Sequence, residues 1–209
     1  MARHTGPKCR LCRREGQKLL LRGDRCFSDK CSMTHRAKIP GQHGRLRARR
    51  RATPYAIRIR EKQKLKRIYG VREAQFRRYV EAAKKWKGVT GEAILKLLER
   101  RLDNVVYRAG FATSRDHARQ LVTHGHFLVN NRHTRIPSML LQEGDMVELR
   151  PESRAKLREA IRGWAERRPL PSWIMRDLEG LRVQVGAEPN LEELDQSVNM
   201  SLIVEFYSR

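Results

Sequence analysis

The sequence has no long apolar run, few aromatic residues and only half as many acidic as basic residues. No stretch has the length and apolarity of a membrane-spanning helix. The first ten residues also lack the apolar core of a secretory signal, so we expect a cytosolic protein. Aromatic residues make up 6% of the chain, which argues against base stacking as a main mode of binding. There is no phosphate loop, nucleophile–base pair or catalytic metal motif, which predicts a protein that is not an enzyme.

The shortage of acidic residues is confined to one half of the chain. The whole sequence has 46 Lys and Arg against 23 Asp and Glu, a net charge of +23. Residues 1–90 contain 28 basic and 6 acidic residues, a net charge of +22, whereas residues 91–209 contain 18 and 17, a net charge of +1. Such an excess indicates a polyanionic partner, and it places most of the attraction in the N-terminal half.

Cysteine is also scarce, and the four cysteines all lie near the N-terminus. Cys9, Cys12, Cys26 and Cys31 follow the spacing C-x2-C-x13-C-x4-C. Two close pairs joined by a loop suit a tetrahedral ion, so we predict a structural zinc site. An iron–sulfur cluster uses the same four thiolates, and two disulfides are a third possibility. Basic neighbours should favour thiolate over thiol at these positions, and they are Arg10, Arg13, Arg14 and Arg25.

The basic residues that follow are concentrated in a loop-like run and in a helix. The run lies between Pro40 and Tyr55, and its arginines should be ordered only when phosphates neutralise them: Arg45, Arg47, Arg49, Arg50 and Arg51. Periodicity then predicts helices over 55–69 and about 72–86. Four cations of the first helix are candidate RNA contacts: Arg58, Lys62, Lys64 and Arg67.

The stretch 91–150 has the clearest local pattern in the chain. Apolar residues at three- and four-residue spacing predict a helix that runs from about residue 94 to 109 and ends at Gly110. Ser114 should cap a second helix that ends at Gly125. Strands are predicted at 127–129 and 145–149, with a tight turn at 130–131. Two short helices followed by a small sheet form a compact module.

Polar residues on these two helices predict contacts with a nucleic acid. Arg101, Asn104 and Arg108 should form an exposed stripe on the first helix, whereas Arg115 and Arg119 lie near the N-terminus of the second, where phosphate is favoured. We therefore expect loss of Arg115 and Arg119 to weaken RNA binding without affecting stability. The full candidate set in this module is Arg101, Asn104, Arg108, Ser114, Arg115, Arg119, Gln120, His124 and His126.

The C-terminal part, 151–209, is predicted to hold one polar helix and short strands. The helix should cover 154–166, and Pro169 and Pro171 should interrupt the chain after it. Alternation of apolar and polar residues predicts strands at 181–185 and 202–206.

Several segments in this order resemble one protein family. RLDNVVYRAGFATSRDHARQLVTHGHFLVNN resembles the RNA-binding module named after ribosomal protein S-four. The cysteine quartet, PGQHG at 40–44, REKQKLKRIYG at 60–70 and LIVEFYSR at 202–209 extend the likeness to bacterial S-four proteins along the whole chain. Many relatives lack the cysteines. One departure is Asn131, where the family's turn often carries glycine.

The resemblance implies a structural constituent of the small ribosomal subunit. It implies direct binding to small-subunit ribosomal RNA at a multi-helix junction and nucleation of the assembly of the subunit body. It further implies that the protein neighbours ribosomal protein S-five, contributes to decoding accuracy and lines the messenger RNA entry channel with basic residues. The residues that match this last role are Arg45, Arg47, Arg49 and Arg50. The implied location is the cytoplasmic ribosome, with no membrane contact.

We therefore predict an α+β protein, mainly helical, with two lobes. The expected parts are a metal-binding segment at 1–44, a basic helical domain at 45–90 that packs with 151–209, and an RNA-binding module at 91–150 with a helix-turn-helix-like helix pair and a small β-sheet. Two other functions were considered. An RNA-modifying enzyme is suggested by Arg101-Leu102-Asp103, which resembles the catalytic Arg-Leu-Asp of pseudouridine synthases. However, 209 residues leave no room for a separate catalytic domain. A zinc-bearing DNA regulator is disfavoured because the second helix has few base-reading side chains.

Overall fold

The computed structural model of the protein describes residues 4–44, 53–193 and 197–208. The chain forms two compact units, of which the first contains residues 1–93 and 195–209 and the second contains residues 94–194. The helices are α1 (Lys8–Glu15), α2 (Ser32–His35), α3 (Pro54–Ile68), α4 (Glu73–Ala83), α5 (Thr90–Glu99), α6 (Leu102–Arg108), α7 (Arg115–Thr123), α8 (Pro151–Glu166) and α9 (Met200–Tyr207). The strands are β1 (Phe127–Val129), β2 (Arg132–His133), β3 (Met146–Leu149), β4 (Ile174–Asp177) and β5 (Arg182–Val185).

The first unit is built around α3, the long helix predicted from the sequence. Thr53 caps it by accepting a hydrogen bond from the Ala56 backbone N–H at 3.2 Å, and Pro54 occupies its first turn. Its inner face buries Leu65 and Ile68, and the neighbouring helix α4 buries Phe76 and Val80. The helices predicted at 55–69 and 72–86 are thus confirmed to within a few residues.

The final segment of the first unit is a helix, so the strand predicted at 202–206 is wrong. The side chain of Asn199 accepts hydrogen bonds from the N–H groups of Ser201 and Leu202, which caps α9. The apolar residues of α9 then pack against α3, with Ile203 fully buried. Gly91 permits this arrangement, because a Cβ there would lie 3.0 Å from Cβ of Met200. Packing therefore overrides the β propensity of this sequence.

In the second unit, the long helix predicted from 94 to 109 is broken into α5 and α6 at Arg100 and Arg101. Arg101 is extended and forms an isolated bridge with Leu140. On either side of it, the Leu141 N–H donates to the carbonyl of Arg100 at 2.8 Å, and the Leu102 N–H donates to that of Met139 at 2.8 Å. Because a helix leaves its first N–H groups without partners, this pairing stabilises the start of α6. The prediction of a single helix is therefore wrong, because a tertiary contact with residues 139–141 interrupts it.

The sheet of the second unit is antiparallel and has the order β2-β1-β3-β5-β4. The strands predicted at 127–129, 145–149 and 181–185 are confirmed as β1, β3 and β5. The turn between β1 and β2 is also confirmed, with positive φ at Asn130 and Asn131 (48° and 63°). The sequence did not predict β2 and β4. One face of the sheet packs on α6 and α7, and this core includes Val106, Val122, Phe127, Val147 and Val183.

The pairing of β3 with β5 changes the division expected from the sequence. The predicted module ended at residue 150, but β4 and β5 complete its sheet, and Ile161, Trp173 and Ile174 complete its core. Only residues 195–209 of the predicted C-terminal segment are grouped with the N-terminal helices. Among the described residues, no helix has the length and apolarity needed to span a bilayer.

Candidate nucleic-acid interface and cysteine cluster

The arginines predicted to form an exposed stripe lie instead in a buried ionic network. Arg101 is fully buried and forms a two-point ion pair with Asp103, with Nε–Oδ1 at 2.9 Å and Nη2–Oδ2 at 2.6 Å. Arg119 donates to the same carboxylate at 3.2 Å. Residues two apart do not face each other on a helix, so this pair requires Arg101 to lie outside α6. It therefore contributes to the break between α5 and α6.

A second part of the network is centred on Glu99, whose carboxylate is fully buried. Arg108 donates to both of its oxygens at 2.8 and 2.9 Å, and the amide of Asn104 donates to Oε2 at 2.6 Å. Arg115 Nε in turn donates to Oδ1 of Asn104 at 2.8 Å, and its guanidinium lies 4.6 Å from the ring centre of Tyr107. These contacts join the end of α5 to α6 and α7.

The expectation of an exposed stripe is therefore wrong. The side-chain exposures of Arg101, Arg119, Arg115 and Arg108 are 0, 10, 14 and 20%. Replacing Arg115 and Arg119 should affect stability, contrary to the expectation from the sequence. Their contact with RNA stays a prediction, confined to the edges that remain exposed. Asp103, which matches the catalytic aspartate of pseudouridine synthases in sequence, is 4% exposed and is bound by two arginines. It is therefore not placed to act on a substrate.

Helix boundaries predicted around this network are confirmed. Ser114 caps α7, with its hydroxyl accepting from the His117 N–H at 3.2 Å. Gly110 and Gly125 have φ values of 80° and 77° at the ends of α6 and α7. Arg168 donates hydrogen bonds to one carbonyl in the last turn of α6 and to one in the loop after it, with Nη1 at 2.6 Å from the Tyr107 oxygen and Nη2 at 3.1 Å from the Thr113 oxygen. A basic residue beyond the predicted module thus stabilises it.

The cations predicted as RNA contacts on α3 are paired with carboxylates. Lys62 is 5% exposed, lies 2.9 Å from Glu73, and stands over the Phe206 ring at 4.2 Å. Lys64 is 8% exposed and lies 2.7 Å from Glu61. The other two are part-buried, with Arg58 paired to Glu205 and Arg67 paired to Glu15. Burial, followed by the charge of Arg14, lowers the pKa of Arg67. The five arginines predicted at 45–51 lie outside the described residues.

Several basic residues of the second unit lie around Gly125. Gln120 and His124 are exposed, as a nucleic-acid contact requires, and His126 is part-buried, with Nδ1 at 2.8 Å from Oγ of Ser153. His133 Nε2 lies 3.2 Å from the Gly125 oxygen and 3.5 Å from Nη1 of Arg150.

Sequence reasoning missed His133, Arg135 and Arg150, which the fold brings together from β2, the segment after it and the residue before α8. Periodicity could not find them, because they share no helix or strand. The signal that was present is the glycine itself, since Gly125 ends α7 with positive φ next to a histidine on each side.

The cysteine segment is folded against α3. Cys12, Cys26 and Cys31 are buried, Cys9 is part-buried, and all four are free thiols. The backbone N–H of Arg22 donates to Sγ of Cys26 at 3.3 Å. Glu15, at the end of α1, has a side chain 2% exposed and binds Arg60 and Arg67 of α3. Among the described residues, no three cysteine, histidine or acidic side chains are arranged to hold one ion.

The protonation of these cysteines differs from the expectation. Burial raises the pKa of Cys12 and Cys26, and the other thiols of the cluster raise it further. Hydrogen bonds from the backbone of Leu19 and Arg22 act in the opposite direction but do not prevail. The prediction that basic neighbours favour thiolate is therefore wrong for Cys12 and Cys26, because burial raises their pKa more than the backbone hydrogen bonds and, at Cys26, the charge of Arg22 lower it.

Comparison with known proteins agrees with the sequence resemblance. Residues 3–99 match the family described as "Ribosomal protein S4/S9 N-terminal domain", and residues 100–147 match the "S4 domain". The chain is 56% identical to small ribosomal subunit protein uS4A of Symbiobacterium thermophilum and 56% identical to uS4 of Dictyoglomus thermophilum, over 100% of each protein. It is 51% identical to uS4 of Geobacter sp. strain M21, again over 100% of both chains.

The chain belongs to the ribosomal protein S4 family. The match to the S4 domain begins at Arg100, where α5 ends and the buried network begins. It stops at residue 147, within β3, whereas the sheet continues through β5 and β4. The core of the S4 domain in this protein is therefore completed by residues beyond the matched range. Members of this family are structural proteins of the ribosome and not enzymes.

Proposed function

We infer that the protein is a structural constituent of the small ribosomal subunit that binds ribosomal RNA directly in the cytoplasmic ribosome. The observation that carries this function is the likeness to uS4 proteins over the full length of both chains, with both family domains in order. A net charge of +23 supports it, because a folded protein of this size needs a polyanion to neutralise such a charge. RNA junctions of A-form helices are gripped through phosphates, 2′-hydroxyls and shape, which suits a protein poor in aromatic residues.

The test is a binding competition with the full-length protein. Small-subunit ribosomal RNA transcript should be bound in preference to duplex DNA of equal length and concentration, and a junction in the transcript should become protected from chemical cleavage. The purified protein should also co-sediment with small ribosomal subunits. Equal competition by duplex DNA, with no protected RNA site, would support a DNA-binding function instead.

We further propose the finer roles that the family resemblance implies. These are nucleation of the subunit body, contact with ribosomal protein S-five, a contribution to decoding accuracy and contact with messenger RNA at its entry channel. The charge of the run 45–51 supports the messenger contact, since it holds five arginines and no acidic residue. Cross-linking of Arg47→Cys and Arg50→Cys in assembled subunits tests it. Adducts should form with messenger RNA, and adducts with ribosomal RNA alone would contradict this role.

We propose zinc as the ion of the four-cysteine segment, with Cys9, Cys12, Cys26 and Cys31 as its ligands. The spacing, the burial of three of the thiols and the packing of the segment on α3 support this proposal. Zinc would displace the thiol protons and link α1 to the chain before α2, and so stabilise residues 9–31. An iron–sulfur cluster is the second candidate, since it needs the same ligands.

Metal analysis separates the two ions. The purified protein should contain one zinc per chain and no visible absorption, and Cys26→Ser should lose the zinc while Ser28→Ala, in the same loop, retains it. Chelation should expose residues 4–44 to protease without exposing the second unit. Iron with acid-labile sulfide and visible absorption would overturn zinc, and a metal-free protein with an intact segment would overturn both.

A further inference from the structure

The turn between α6 and α7, residues 109–114, is held by a side chain from beyond the matched range of the S4 domain. Arg168, two residues after α8, donates from Nη1 to the carbonyls of Tyr107 and Ala112, at 2.6 and 3.3 Å. Its Nη2 donates to the carbonyl of Thr113 at 3.1 Å. The last carbonyls of a helix favour a cation, and hydrogen bonds from a guanidinium are stronger than those between neutral groups. One guanidinium thus binds the backbone on both sides of the turn.

A second arginine from beyond the matched range keeps the same turn close to the end of α8. Arg176 of β4 donates from Nη1 to the carbonyls of Ala109 and Ala165, at 2.9 and 3.2 Å. A Cβ at Gly110 would lie 2.8 Å from Cα of Ala165 and 3.0 Å from this Nη1, and φ at Gly110 is +80°. The turn therefore packs backbone to backbone against α8, in a conformation that suits glycine.

The ring of Tyr107 connects Arg168 to the start of α7. The guanidinium carbon of Arg168 lies 3.8 Å from the centre of this ring, and that of Arg115 lies 4.6 Å from it. Arg115 also donates from Nε to Oδ1 of Asn104 at 2.8 Å, and its side chain is only 14% exposed. Because so little of Arg115 reaches solvent, its contacts with the ring and the amide determine which edge of the guanidinium a partner can meet.

We propose that Arg168 is a positioning residue for RNA binding, which fixes the α6–α7 turn and the Tyr107 ring and so sets the direction of Arg115. This proposal rests on the RNA-binding function proposed above and adds a residue outside the matched S4 domain to it. Arg168 acts through the protein, because its terminal nitrogens bind three carbonyls and its guanidinium lies against an aromatic ring. Lysine cannot reproduce this arrangement, since its ammonium has the same charge but no planar fork.

The experiment compares two full-length proteins in which the charge is unchanged. Arg168→Lys removes the fork, and Arg167→Lys makes the same substitution at the neighbouring exposed position. Binding to small-subunit ribosomal RNA transcript should weaken about fivefold or more in Arg168→Lys, and about twofold or less in Arg167→Lys. If Arg168 contributed charge alone, Arg168→Lys would bind as tightly as the unsubstituted protein, and that result would overturn the proposal.

A double-substitution cycle tests whether Arg168 acts through Arg115. Arg115→Gln alone should weaken binding of the transcript, and adding Arg168→Lys to it should cost less than about twofold more, because the group that Arg168 positions is already gone. The proposal would be overturned by an equal loss from Arg168→Lys in both backgrounds. It would also be overturned if Arg115→Gln bound the transcript with full affinity.

Amide hydrogen exchange separates positioning from a general loss of stability. In Arg168→Lys the amides of residues 110–115 should exchange faster, whereas those of β1 and β3 should keep their protection. Equal acceleration throughout the second unit would show that only global stability had fallen, which would overturn the positioning role and leave RNA binding intact. Failure of the unsubstituted protein to bind the transcript in preference to duplex DNA would instead overturn the RNA-binding function.

Discussion

At the scale of single residues, the buried ionic network decides what the arginines of the S4 domain do. Arg101 and Asp103 are both buried, and Arg119 shares the same carboxylate. Removing one partner of a buried ion pair leaves an uncompensated charge, which costs far more than the pair itself contributes. These arginines therefore stabilise the helix arrangement first, and any RNA contact must use the edges that stay exposed.

We predict that Arg101→Met destabilises the second unit by about 3 kcal/mol, because Asp103 stays buried and keeps only its longer contact with Arg119. Urea unfolding measures this through the fluorescence of Trp164 and Trp173, in a Trp86→Phe background that removes the tryptophan of the first unit. Arg162→Met, on the exposed face of α8, is the matched control and should cost less than about 0.5 kcal/mol. A loss below about 1 kcal/mol for Arg101→Met would show that the network contributes little.

At the scale of secondary-structure elements, α9 depends on a charged contact with α4. The Tyr207 hydroxyl donates to Glu73 at 2.7 Å, and Lys62 and Lys66 bind the same carboxylate. Burial alone would raise the pKa of Glu73, but these hydrogen bonds outweigh it and lower the pKa from 4.5 to about 2. Because the folded-state pKa is lowered, the stabilisation is present above about pH 4.5 and is lost as the pH falls toward 2.

We predict that Glu73→Gln removes part of the acid sensitivity of the first unit. The midpoint temperature of thermal unfolding of the unsubstituted protein should decrease as the pH is lowered from 4.5 to 2. The variant should have a lower midpoint temperature at pH 4.5 and should lose less of it on acidification. Glu81→Gln is the control, because Glu81 forms an exposed pair with Arg77 on the same helix. The unfolding is followed by near-ultraviolet circular dichroism, to which the packed aromatic side chains Phe206 and Tyr207 of α9 contribute. An identical pH profile for Glu73→Gln and the unsubstituted protein would contradict the role of this carboxylate.

The elements that the sequence predicted are those specified by local chemistry. The Ser114 cap, the glycines at 110 and 125 and the Asn130-Asn131 turn each act within a few residues of their own position. The errors arise where distant residues decide: the strand pairing of 139–141 breaks a periodic helix, and packing on α3 makes 200–207 helical. The prediction of an exposed arginine stripe is wrong for the same reason. The spacing of arginines in the sequence does not show that Glu99 and Asp103 will form ion pairs with them in the fold.

At the scale of the whole molecule, the excess positive charge lies in the N-terminal half of the chain, whereas the S4 domain lies in the nearly neutral second half. Residues 1–90 carry a net charge of +22, although several cations of α3 are paired with carboxylates. The second unit has little net charge, although the basic side chains of His133 and Arg150 both lie next to the Gly125 carbonyl. We therefore expect the N-terminal half to provide most of the long-range attraction for RNA, and the second unit to orient the protein through a few fixed contacts.

This separation predicts how salt affects binding by the full-length protein. The slope of log affinity against log salt should be about −5 or steeper, corresponding to about six or more phosphates. Arg49→Gln with Arg50→Gln should make the slope shallower by about 1 to 2, because each phosphate contact that is removed lowers the number of counterions released on binding. Arg158→Gln with Arg162→Gln removes the same charge from exposed positions of α8 and should leave the slope nearly unchanged. Equal slopes for the two variants would mean that the run 45–51 does not engage this RNA, and that its charge serves the messenger or neighbouring proteins instead.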